Sequence, residues 1–152
     1  MTRADARELA VHLIYAYEFS GGDPRELVAV RLAKDYYKKL AEEVELYADQ
    51  PSATQRAYID KVVSGVTNRI EEMDQCISQY AIGWDVTRIS KLTRSILQLA
   101  FFEIQYVDDV PTGVAIAEAV RIAKLYDGDD TGSFVNGILG AYSRTLAAEV
   151  SQ

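Results

Sequence analysis

The 152-residue sequence predicts an all-α protein, and three observations carry that prediction. Apolar residues recur at three- and four-residue intervals along nearly the whole chain, the mark of helices with one buried face. No alternating β-branched run of strand length interrupts them. Prolines are only three, Pro24, Pro51 and Pro111, and each stands where a helical pattern breaks.

The elements follow in order. Thr2, with Asp5 three residues on, has the form of a capping box, and Leu9, Leu13, Ile14 and Tyr17 form the stripe of a first helix. Gly21-Gly22 ends it. Asp23-Pro24, with Glu26 close behind, restarts the chain as N-cap and first helical position, and a second helix with Leu27, Val30, Tyr37, Leu40 and Val44 fades near Asp49. After the Gln50-Pro51-Ser52 break, one long helix is expected over 53–82, striped by Ile59, Val62, Val63, Val66, Ile70, Met73 and Ile77 and closed by Gly83. Asp85-Val86-Thr87 reads as a cap region with a single short turn. Helices are then expected over 91–107, apolar on most sides and so central, over 112–126, and over 133–148. The stretch 127–132 between the last two reads as a loop. The expected architecture is a compact bundle of about six to seven helices, with an N-terminal subdomain over about 1–83 and a C-terminal one over about 84–152.

Composition narrows the function. An apolar share of 49% and a charged share of 26% are those of a folded domain. No apolar run approaches a membrane span, and the first residues carry an acid where a signal peptide is apolar. The expectation is a soluble, cytoplasmic protein without membrane contact. A net charge of −7 argues against nucleic-acid binding by bulk positive charge, so any such role needs a local patch or stacking. His12 is the only histidine and Cys76 the only cysteine, which leaves no ligand set for a histidine or cysteine metal centre and no nucleophile–base pair for an enzyme. Neither a cofactor nor a metal is expected. The acidic stretch 127–132 loosely resembles a calcium loop, but the twelfth position holds Ile138 where a bidentate acid is needed.

Several side chains have plain structural readings. His12 reads as a surface or partly buried helix residue, Cys76 as a small core residue, and Trp84 as a large lid on the bundle. Phe101 and Phe102 are adjacent and cannot face one way, which assigns one to the core and the other to an interface between subdomains. Arg88, Lys91 and Arg94, spaced at three, share one side if helical and form a basic patch. Arg3 and Arg7 are four apart on the first helix.

The second half carries recognisable text. Ser95-Ile96-Leu97-Gln98-Leu99-Ala100-Phe101-Phe102-Glu103-Ile104, then Asp109-Val110-Pro111, Ala115-Ile116-Ala117-Glu118-Ala119 and Phe134-Val135-Asn136-Gly137-Ile138-Leu139, resemble the NusB family of bacterial transcription antitermination factors. The opening Ala6-Arg7-Glu8-Leu9-Ala10 is similar to that family's first helix. The resemblance implies an all-α, two-subdomain fold without enzymatic activity. It also implies binding to the boxA element of leader RNA in ribosomal RNA operons, together with the ribosomal protein NusE, which docks mainly on the C-terminal helices. Contact with other Nus factors and RNA polymerase follows indirectly. The family's RNA contacts, carried over, fall on Arg3 and Arg7 and on Phe134 and Asn136, with Arg88, Lys91 and Arg94 as a supporting patch.

The sequence departs from that pattern. The opening arginine run is reduced to Arg3, with Ala4 and Asp5 at positions that are commonly basic, and Ser133 precedes Phe134 where lysine is common. Two readings of Phe134 stay open: a ring on which a base stacks, or a hydrophobic staple at the start of the last helix. Two readings of the whole also stay open, an RNA- and protein-binding adaptor or a helical protein-interaction module with weak or lost RNA binding. Monomer and homodimer are equally compatible with the residues.

Overall fold

Capping residues set where the helices begin. In the computed structural model, which describes residues 1–42 and 44–150, Thr2 Oγ1 accepts from the Asp5 amide at 3.0 Å while the Thr2 amide donates to Asp5 Oδ2 at 3.0 Å. This reciprocal box starts α1 (Arg3–Ser20), and Gly21, at φ 60, ends it in a conformation that costs glycine little. Asp23 caps α2 (Pro24–Arg31) by accepting from the Arg25 amide at 2.9 Å.

The single helix expected from Pro24 is broken. Ala33, with φ −60 and ψ 137, is extended, and α3 (Lys34–Ala41) starts afresh, followed by a 3-10 turn at Glu45–Tyr47. In one straight helix Val28 and Tyr37 lie about 180° apart. Turning the chain at Ala33 lets both be buried, and the Tyr37 hydroxyl donates to the Asp49 carbonyl at 2.7 Å.

The helix expected over 53–82 is also two. A capping box between Ser52 and Gln55 opens α4 (Ala53–Thr67). The Thr67 hydroxyl then turns back onto the Val63 carbonyl at 2.8 Å, Arg69 leaves the helical region at φ −131 and ψ 30, and α5 (Ile70–Tyr80) begins. The break keeps the apolar stripe in phase, which hid it from periodicity. It also sets the division of the chain into two compact units, Met1–Asn68 and Arg69–Gln152, so the boundary expected after Gly83 falls fifteen residues earlier, after Asn68.

In the first unit α1 packs on α4, with Leu9, Leu13, Ile14, Ile59, Val62 and Val66 buried, and α2 joins them through Val28. In the second unit a 3-10 turn at Val86–Arg88 precedes α6 (Lys91–Tyr106), which packs on α5, α7 (Thr112–Asp127) and α8 (Asp129–Val150). The central position foreseen for this helix is the one it takes. Phe101 and Phe102 are both buried, Phe101 against Tyr80 and Tyr142, Phe102 stacked on Tyr106.

The stretch 127–132 is not a loop. Gly128, at φ 89, links α7 directly to α8, which runs from Asp129. Asp129 and Asp130 in its first turn complement the positive end of the helix dipole. All elements among the described residues are α-helices or 3-10 turns, and the eight α-helices exceed the six to seven expected because of the two breaks.

Candidate nucleic-acid interface

The first unit offers the opening turn of α1. Asp5, which stands where a cation was expected, is the capping acid of that helix, so its carboxylate is committed to local structure. Arg3, half-buried, lies over the Tyr58 ring of α4, guanidinium carbon to ring centroid 4.0 Å, a cation–π distance. Arg7 is on the same side of α1, 5.9 Å from the same ring, but only 4% exposed. Packing of α1 on α4 draws Arg7 inside, and Arg3 is the more exposed cation of this pair.

The second unit offers more. Asp85 Oδ1 accepts from the Thr87 hydroxyl at 2.8 Å and the Thr87 amide at 2.9 Å, and these bonds hold its carboxyl below the usual aspartate range. The turn so fixed leaves Arg88 exposed and anchors itself through buried Ile89. Ser90 caps α6 by accepting from the Thr93 amide at 3.2 Å. Lys91 and Arg94 follow in the first turn of α6, which holds no acid. Cations at a helix N-terminus oppose the dipole and reinforce the positive potential there. Arg88 belongs to a different element, so the three basic residues do not form one helical face as their spacing indicated.

Phe134 lies in the second turn of α8, past the residues a staple would join, so neither the staple nor presentation at a helix N-terminus describes it. It is half-buried, and its ring meets Trp84 edge-on, centroids 5.2 Å apart and planes at 61°. Trp84 is 56% exposed. The expected lid is therefore a surface aromatic, a candidate site residue that the sequence reading did not single out; its place between a glycine stop and a capped turn was the available signal. The pair borders a cavity of about 330 Å³ that Arg88, Thr93, Thr131 and the two carboxylates Asp127 and Asp130 also line. Asn136 is exposed but sits two residues on from Phe134, about 200° around the helix, and does not line the cavity.

Elsewhere the single histidine has a structural setting. His12 Nδ1 is 3.0 Å from the Tyr47 hydroxyl. Burial lowers the histidine's pKa, opposed by Glu8, and burial pushes Tyr47 up to about 12. The neutral ring and the protonated phenol thus share one hydrogen bond at Nδ1.

The sequence matches the NusB family over residues 4–144. The chain belongs to the NusB family. It is 38% identical over 146 residues to the transcription antitermination protein NusB of Symbiobacterium thermophilum, covering 96% of this chain and 92% of that one. It is 41% identical over 140 residues to the NusB of Acetivibrio thermocellus, covering 92% and 87%. Among solved structures, T. maritima NusB superposes with a TM-score of 0.71 at 27% identity, over 95% of this chain and 92% of that one. A complex described as antitermination factors NusB and NusE with double-stranded RNA contains a chain that superposes with a TM-score of 0.73 at 25% identity, over 94% and 96%. The all-α expectation is met, and so is the resemblance. Among the described residues, no helix of this NusB-family chain is long and apolar enough to cross a membrane.

Proposed function

We propose that this chain is a non-catalytic transcription antitermination factor that binds boxA-type single-stranded leader RNA of ribosomal RNA operons together with the ribosomal protein NusE. The observation that carries this reading is the surface aromatic pair Trp84–Phe134 with Arg88 on the same cavity. Unpaired bases stack on exposed rings, whereas the bases of an A-form duplex are already stacked and its deep groove is closed to side chains. Arg3 on Tyr58 supplies a phosphate contact in the first unit, and Lys91 and Arg94 at the start of α6 supply others in the second. Asn136, on another side of α8, meets a different nucleotide from the one at Phe134. NusE then brings in other Nus factors and RNA polymerase in the cytoplasm.

The support is convergent. The relatives bear the antitermination name, and a structural neighbour is a complex of NusB and NusE with double-stranded RNA, which supports the RNA and the partner while the exposed rings support the unpaired strand. The net charge of −7 and the burial of Arg7 leave few phosphate contacts for the protein alone, which makes the partner necessary to affinity. The test is a titration of labelled boxA-type RNA with and without NusE. Tight binding only with NusE is the expected result. Binding of NusE with no RNA affinity in the combined complex would instead establish the protein-interaction module, the reading that the committed Asp5 and buried Arg7 favour.

A further inference from the structure

We propose that the outer face of α3, together with Arg31 on the Tyr36 ring, is a second RNA contact, which holds the phosphates of an unpaired stretch flanking the boxA-type element without reading its sequence. The inference rests on the RNA-binding reading and extends it to a new surface in the first unit. In a chain whose net charge is −7, residues 31–41 carry Arg31, Lys34, Lys38 and Lys39 against the single acid Asp35, and acids resume only at Glu42. Lys34, Lys38 and Lys39 are exposed, and none of them forms an ion pair among the described residues.

Helix stability does not account for this run. Lys34 and Lys38, four apart, lie on one side of α3, where like charges repel. Lys38 and Lys39 complement the negative end of the helix dipole, but Lys34 stands in the first turn, at the positive end. Packing does not account for it either, because α3 buries Tyr37 and leaves the lysines in solvent. Phosphate binding does: a lysine ammonium is a point charge that meets a phosphate whatever the base. Arg31 repeats the arrangement of Arg3. Its guanidinium carbon lies 5.4 Å from the centre of the Tyr36 ring, which is 37% exposed and suits sequence-tolerant stacking. The two arrangements adjoin. The amino group of Met1 lies 3.8 Å from Asp49 Oδ2, and the Asp49 carbonyl accepts from Tyr37, so the opening of α1 and α3 meet at one residue. A strand with a phosphate at Arg3 thus has the α3 cations close at hand. An acidic peptide would also meet the lysines, but the exposed ring and the adjoining Arg3 favour RNA.

The experiment uses the full chain with NusE. The probes are a boxA-type RNA core and the same core extended on one side or the other by about ten unpaired nucleotides of mixed sequence. Anisotropy of labelled RNA reads affinity across a range of salt concentrations. The expected result is that one extension tightens binding about fivefold or more and steepens the salt slope by about one to two units, as added single-strand phosphate contacts require. Scrambling the extension should leave the gain intact. Lys34→Gln combined with Lys38→Gln should remove the gain, with core affinity and melting temperature unchanged, and Lys34→Arg combined with Lys38→Arg should keep it. Extensions without effect, a gain that survives the glutamine variant, a gain tied to one sequence, or a loss shared by the core RNA overturns the α3 contact while the RNA-binding reading stands. Polyglutamate bound through Lys34 and Lys38, with the extensions adding nothing, overturns it in favour of an acidic protein segment. Core RNA that fails to bind the unmodified complex overturns both readings.

Discussion

The guanidinium of Arg3 lies 4.0 Å from the centre of the Tyr58 ring, a contact between the first turn of α1 and α4. Tyr58 is 5% exposed, so the ring is a fixed support and the arginine a surface cation held flat against it. Such a contact stabilises by about 0.5–1 kcal/mol at exposed sites, too little to define the fold but enough to restrict a long flexible side chain before a phosphate arrives.

Arg3→Ala should therefore weaken RNA binding to the NusE-containing complex and lower the salt slope by about one unit, the signature of one lost phosphate contact. Tyr58→Phe keeps the ring and should leave the slope as it is. Affinity measured across a range of salt concentrations decides it, and an unchanged slope for Arg3→Ala would show that this cation does not touch RNA.

Arg7→Ala should behave differently. At 4% exposure the side chain is part of the packing between α1 and α4, so its removal should cost about 1–3 kcal/mol of stability. RNA affinity should follow the folded fraction, with no change in salt slope. A stable Arg7→Ala protein with a reduced slope would return this residue to the RNA surface.

Local chemistry made much of the fold legible. The Thr2–Asp5 box, the Asp23 cap, the Gly21 stop and the Pro111 start act over three or four residues and appear in the structure as read. The break at Arg69 was hidden because it takes a few backbone dihedrals and leaves the apolar stripe in phase, and the one at Ala33 because the expected stripe ran through Leu27 and Val30 and passed over Val28, the residue that falls opposite Tyr37. The start of α8 was obscured by Gly132 and three aspartates, loop formers in isolation; Gly132 in fact stands where a Cβ would meet the Lys124 side chain of α7, so its smallness serves helix packing. At the site, Phe134 was legible through family text. The exposure of Trp84 and the burial of Arg7 depend on which neighbours pack against them, and no short-range pattern encodes that.

The His12–Tyr47 contact predicts a pH dependence. Burial lowers the folded-state pKa of His12 below its ordinary 6.5, so between the two values the unfolded chain binds a proton that the folded chain excludes. Stability from this group is complete above the unfolded value and declines as pH falls from there toward the folded one. Denaturant midpoints at pH ~7.5 and ~5 should differ more for the parent than for His12→Gln, which carries no titrating ring. Equal differences would assign the acid sensitivity to carboxylates elsewhere.

Phe134 gives the sharpest separation of structure from recognition. Its ring touches Trp84 and is half-buried, well short of the burial of Phe101, which packs against Tyr80 and Tyr142 at 0% exposure. Phe101→Ala should cost about 3–5 kcal/mol of stability, the usual range for emptying a core site of its aromatic ring. Phe134→Ala should lower the melting temperature far less and should instead remove on the order of 1–3 kcal/mol of RNA affinity in the complex with NusE, the contribution of one stacked base. Thermal melts and RNA titrations on the same two proteins make the comparison. A Phe134→Ala protein that melts like the parent and binds RNA as tightly would take the ring out of the interface, and the cationic residues Arg3, Arg88, Lys91 and Arg94 would then have to hold the RNA without it.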